Sequence, residues 1–170
     1  MQPPLLPEEV LRRVLRVGRF HGMMVLIIAG GFGLLSAAAG DRVGAVIGLM
    51  IAGAGAIELH GAALLRGGFS QGVSWLIGSQ FFLMAAMLGY CAFRLTHVVL
   101  PPVPPNLTEM VETATAQLGM TQEEYLTFAY RLGFQVVAGM TILYQGCMAL
   151  YYLRRRAAVT AAVAFVDRET

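Results

Sequence analysis

Lysine is missing altogether: all twelve basic residues of this 170-residue chain are arginine. That reads as a bias of composition rather than a functional signal. Ten acidic residues nearly balance the arginines, leaving a net charge of +2. No basic stripe with interleaved aromatics occurs, which argues against a nucleic-acid partner. Charge of either sign is scarce, at 13% of residues, against about 25% in a typical soluble domain. Cysteine is nearly absent as well. Cys91 and Cys147 form no CxxC pair, and the topology below puts them near opposite membrane faces. A disulfide needs Cα atoms within about 7 Å, so both are expected to be free thiols, and paired-thiol redox chemistry is disfavoured. Nucleophile elbow, phosphate loop, zinc helix and dinucleotide fingerprint are all lacking. The chain is therefore read as non-enzymatic, with no cofactor and no metal site.

What is present is apolar sequence, 57% of the chain, gathered into four long runs. Each run approaches the ~20 residues a helix needs to cross hydrocarbon. The predicted fold is an all-α integral membrane protein: one domain, a four-transmembrane-helix bundle. Residues 1–22 form an amphipathic segment. Pro3 and Pro4 break up its start, and Pro7, Glu8 and Glu9 suit a helix N-terminus. Arg12, Arg13, Arg16 and Arg19 then alternate with Val10, Leu11, Val14 and Leu15. Such a helix lies on the membrane surface or feeds directly into the first span. The spans are predicted at 23–39, 43–65, 72–100 and 131–156. The stretch before the first is long for a signal peptide, so it is read as a retained helix. Pro101, Pro102, Pro104 and Pro105 stop the third span.

Residues 101–130 make a polar helical hairpin between spans three and four. Asn106 or Thr108 is expected to cap a short helix closed by Gly119. Thr121 and Glu124 have the spacing of a capping box, which allows the last helix to run unbroken to about Arg156. Residues 157–170 are read as a tail. Nine arginines (12, 13, 16, 19, 66, 154, 155, 156 and 168) fall on the side of the termini, and Arg42, Arg94 and Arg131 on the other. The positive-inside bias then makes both termini cytoplasmic and the hairpin periplasmic, in a bacterial inner membrane.

Glu58 is the most informative residue, because an ionisable group at membrane depth is costly and marks a site. Counted from the flanks of their helices, Glu58, Gln80 and Gln145 share a level about 12–14 Å in. Ser79 and Tyr144 join that layer. It reads either as a proton or cation site or as an interhelical hydrogen-bond clasp. His60, facing away from Glu58, is expected to approach His21, a pair with the chemistry to hold a haem iron. Gly44, Gly48, Ala52 and Ala56 form a small-residue packing stripe, echoed by Ala29, Gly33 and Ala37 in span one. Leu34 and Leu83 are positions where truncation matters less if they face lipid. At the outer rim Arg94 and Arg131 are expected level with each other, near His97, either attracting an anion or pairing with Glu109, Glu112, Glu123 or Glu124. Trp75, Tyr151 and Tyr152 read as an interfacial aromatic belt.

Three functions follow as expectations. The first is an oligomeric channel or carrier using the Glu58 layer. The second is a non-catalytic scaffold or accessory subunit of a larger membrane complex. The third is a haem-binding electron carrier. Partners are the lipid bilayer and either copies of the chain or other subunits.

Overall fold

A computed structural model describes residues 6–100 and 102–169, with only the backbone for 165–169. Pro3, Pro4, Pro101 and the side chain of Arg168 lie outside the described residues. The described chain is all-helical and has no strand. Its elements are α1 (Pro7–Ala38), α2 (Arg42–Arg66), α3 (Gly72–Thr96), α4 (Thr108–Leu118) and α5 (Gln122–Glu169), with a single 3-10 turn at Pro105–Leu107. Four of these, α1, α2, α3 and α5, are long and apolar enough to cross a membrane. In lipid a helix satisfies all its backbone groups internally, so glycine-containing apolar runs that would fray in water stay helical here.

Local chemistry sets the ends. Pro7 opens α1 with Glu8 and Glu9 in its first turn. Asp41 caps α2 by accepting from the Gly44 N–H at 3.0 Å. At the end of α3 the Thr96 hydroxyl donates to the carbonyls of Ala92 and Phe93, and His97 leaves the helix at φ −116°. The third span thus ends at Thr96, short of the predicted 72–100: the Thr96 hydroxyl takes up two of the last carbonyls four residues before the proline-directed stop at Leu100 would act. Gly119 ends α4 at φ +64°. Neither Asn106 nor Thr108 caps that helix: no side chain caps it, and Thr108 Oγ1 donates back to the Pro104 carbonyl. The Thr121–Glu124 box is formed, with the Thr121 N–H donating to Glu124 Oε2 at 2.9 Å and the Glu124 N–H donating to Thr121 Oγ1 at 3.3 Å.

Two helices are longer than the membrane is thick. At ~1.5 Å per residue, α1 with 32 residues and α5 with 48 extend to about 48 and 72 Å, against roughly 40–45 Å for a bilayer with its headgroups. Their overhanging ends pack on each other. Val10 and Val14 of α1 share a buried cluster with Val159 and Val163 of α5, together with Leu65, Leu76 and Tyr152. Of the two arrangements expected for the N-terminal segment, it feeds directly into the span, because its apolar stripe finds a protein partner. The supposed tail is α5 continued, since its alanine-rich sequence keeps the helix going.

The four long helices form a ring in which α1 neighbours α2, α2 neighbours α3, α3 neighbours α5, and α5 closes on α1. Glycines set the closest approaches. A methyl group on Gly48 would come within 2.5 Å of Gly33 Cα, and one on Gly55 within 2.7 Å of the Gly22 carbonyl oxygen. Gly44, Gly48 and Ala52 are buried, but Ala56 is exposed. Four-residue steps rotate about 40° each on a 3.6-residue helix, so after three steps the stripe has turned outward and Gly55 takes its place. The same drift exposes Ala37 while Ala29, Gly33 and Ser36 stay buried. Leu34 is exposed at 74%, whereas Leu83, at 5%, belongs to the core.

Gly48→Leu should destabilise the bundle by more than about 3 kcal/mol or prevent its assembly, while Leu34→Ala should stay within about 0.5 kcal/mol. Unfolding in mixed detergent, read by circular dichroism, measures both; equal stability for the two variants would place the α1–α2 interface elsewhere.

Candidate functional site

Glu58 lies where α1, α2 and α5 converge, and its residue is only 1% exposed. Both carboxylate oxygens are engaged. His21 Nδ1 of α1 donates to Oε2 at 2.6 Å, and the Tyr152 hydroxyl of α5 donates to Oε1 at 2.7 Å. A carboxylate in a low-dielectric interior is tolerable only when paired and hydrogen-bonded. These contacts give each carboxyl oxygen a partner of its own. The triad is built from three different helices, so each helix's rotation and depth are tied to one carboxyl group.

Helical phase explains the arrangement. Glu58 follows Gly44 by fourteen residues and Gly55 by three, which keeps it on the glycine face that meets α1. His21 follows the buried Val14 by seven residues, and Tyr152 follows the buried Gln145 by seven, each pair sharing one face of its helix. That seven-residue repeat was the available signal for both partners. Tyr152 is no aromatic-belt residue. Its place two residues before Arg154 suggested a membrane edge, but the arginines turn outward and Val159, Ala162 and Val163 carry the core onward, leaving Tyr152 1% exposed.

The partners expected for Glu58 surround it only in part. Ser79, Gln80 and Gln145 are buried, but none bonds directly to the carboxyl. Ser79 Oγ donates to the Leu76 carbonyl at 2.8 Å, and Gln80 Nε2 donates to Ser79 Oγ at a weak 3.4 Å. The amide oxygens of Gln80 and Gln145 are buried without a protein partner. Tyr144 is 50% exposed. It sits about 100° round the helix from the inward Gln145, and its ring reaches only the His21 ring, 5.7 Å centre to centre.

The expected His60–His21 pair is not formed. With His21 bound to Glu58, His60 lies about 200° away on α2, exposed, its ring edge-on to Trp75 at 5.2 Å. Among the described residues no group of three or more His, Cys, Asp or Glu side chains is placed to hold a metal. Cys91 is buried and Cys147 exposed, and both are free.

The residues expected at an outer rim are likewise placed differently. Arg94 forms no ion pair with the hairpin carboxylates. Its guanidinium lies among the rings of Tyr90, Tyr130 and Phe134, 5.5–6.0 Å from their centres, where ring quadrupoles replace a carboxylate as the counter-charge. Arg131 is exposed in a groove with Glu123 and Glu124, beyond 4 Å ion-pair distance. His97 stacks on Phe93 at 4.6 Å. The three residues therefore have separate surroundings and form no common anion site.

Comparison with protein-family models, with curated proteins and with solved structures finds no match, so the reading of this site rests on its geometry.

Tyr152→Phe leaves Glu58 Oε1 without a donor and is expected to cost about 1.5–3 kcal/mol. Glu58→Leu orphans both His21 and Tyr152 and should cost roughly 2–4 kcal/mol. Chemical unfolding of the purified variants in mixed micelles ranks them; a Glu58→Leu protein as stable as the parent would remove the carboxyl from any structural role.

Proposed function

We propose that this chain is a non-catalytic membrane scaffold or accessory subunit, whose polar interior fastens its own helices and whose binding work falls to its outer surfaces. One observation carries the reading: the Glu58 carboxyl is closed off from solvent, with both oxygens taken by His21 and Tyr152. A carrier or channel site needs a carboxyl that can reach water or a permeant ion, and a doubly hydrogen-bonded group in a packed three-helix junction is instead what a clasp requires. The exposed sides of α1 and α5, with Ile27, Ile28, Leu34, Ile142 and Leu143 among them, suit lipid or neighbouring membrane helices. A homo-oligomer or a larger complex is the assembly this reading implies.

The arginine distribution supports both termini on the cytoplasmic side of a plasma membrane and the α4 hairpin outside. Cysteines introduced between Glu109 and Glu124, in a chain with Cys91 and Cys147 replaced by serine, should react with an impermeant thiol reagent from outside. A cysteine after Arg156 should not; the reverse pattern inverts the orientation.

A second reading, proton or cation passage, is favoured by the unpartnered amide oxygens of Gln80 and Gln145, which are acceptors suited to water or an ion. Proton flux into liposomes carrying the purified chain separates the two. The scaffold reading predicts flux equal to protein-free liposomes and unchanged by Glu58→Gln, with cross-linking in native membranes placing the chain in a larger assembly. Flux above background that Glu58→Gln abolishes would replace that reading with passage.

A further inference from the structure

We propose that a groove between the start of α1 and the end of α2 binds the headgroup of an anionic phospholipid. The groove encloses about 440 Å3, and Arg12, Arg16, Arg19 and Arg66 line it with Phe20 and Met23. Arg12, Arg16 and Arg19 recur at four and three residues, so they share one face of α1. Arg66 reaches across from the last turn of α2.

The close approach of Gly22 to Gly55 and Glu58 fixes the register of the two helices. Counting ~1.5 Å per residue from that point, Arg12 and Arg66 stand level, each roughly 12–16 Å toward the end of the bundle that carries both termini. Arg19 starts about 10 Å deeper, with Arg16 between. All four arginines are exposed. Directly below them Phe20 is 69% exposed and Met23 48%. Along one helix face the surface thus passes from cationic to apolar in the order a phospholipid presents phosphate and then acyl chain. Long arginine side chains on the deeper rungs extend toward the interface, where a phosphate is their natural counter-charge.

The charge in the groove is not spent on protein. Among the described residues the arginines' ion pairs comprise Arg12–Glu8 alone, at a loose 3.9 Å with both side chains more than 70% exposed. Arg66 is not consumed in capping α2, because the backbone N–H groups of Gly67, Gly68 and Phe69 already serve the last carbonyls. Guanidinium forks match phosphate oxygens bidentately. A zwitterionic headgroup brings its own cation into the ladder and should bind less well. Free phosphate has no chain to cover Phe20 and Met23.

Native mass spectrometry of the full chain, with phosphatidylglycerol, cardiolipin or phosphatidylcholine added to the detergent, tests this. The parent should retain either anionic lipid over phosphatidylcholine, and Arg16→Gln/Arg19→Gln should lower that retention roughly tenfold. Arg16→Lys/Arg19→Lys should keep only part of it, because an ammonium supplies the charge without the bidentate fork, and the control Arg154→Gln/Arg156→Gln, at the same end of the bundle, should change it little. Helical melting checks that each variant folds. Equal loss in the control would show diffuse attraction rather than a site. Unchanged retention in Arg16→Gln/Arg19→Gln, or equal retention of phosphatidylcholine, would overturn the proposal. Displacement by millimolar inorganic phosphate would assign the groove to a free anion and overturn the lipid assignment.

Discussion

Burying a carboxyl group among apolar helices imposes a condition that little else in this protein escapes. Glu58 must find donors for both oxygens or the bundle loses several kcal/mol to an uncompensated group. In this chain the donors come from α1, a neighbour of the helix that carries the glutamate, and from α5, which faces that helix across the ring. Interhelical hydrogen bonds in membranes are often worth well under 1–2 kcal/mol apiece. What gives this one weight is the asymmetry between satisfied and orphaned states. Any slide or rotation of α1 or α5 that breaks the junction leaves a buried acid exposed to hydrocarbon, so the cluster specifies one register among many that apolar packing alone would tolerate.

The glycines make that register reachable. His21 can touch Glu58 only because Gly22 lets the α1 backbone come against Gly55 and the Glu58 stem. Gly33 and Gly48 hold the same two helices together further along. Close backbone approach gathers dispersion contacts that lipid would otherwise provide equally well to separated helices. Beyond the polar junction, Val10 and Val14 meet Val159 and Val163. The long ends of α1 and α5 thereby become part of the packed body instead of free projections.

Much of the architecture was legible in order and spacing, because hydrocarbon demands long apolar helices and the breakers between them are explicit. Asp41, Gly119 and the Thr121–Glu124 box mark their turns by local chemistry. Glu58 stood out for the same reason, as an acid in an apolar run. Its partners do not stand out in the same way, because His21 and Tyr152 lie next to arginines that look like membrane edges in the sequence, while α1 and α5 continue past them. Phase was the second obstacle. Reading four-residue stripes as straight lines put Ala56 inside, and paired His60 with His21. The 3.6-residue turn instead brings Gly55 and Glu58 to that face. Arg94 defeated a charge-pairing rule because aromatic rings from α3 and α5 were not visible as its counter-charge in a linear sequence.

The most direct measurement is a double-mutant cycle across the junction, with the stabilities of the parent, His21→Leu, Glu58→Leu and the double variant determined by reversible unfolding in mixed detergent. If the carboxyl and the imidazole fasten α1 to α2 as described, each single substitution strands the other group. The double variant should then be less destabilised than the two losses combined, with a coupling of roughly 1.5–3 kcal/mol. Strictly additive losses would mean that the two side chains do not depend on each other, and would contradict the account of Glu58 as the fastening point of the bundle.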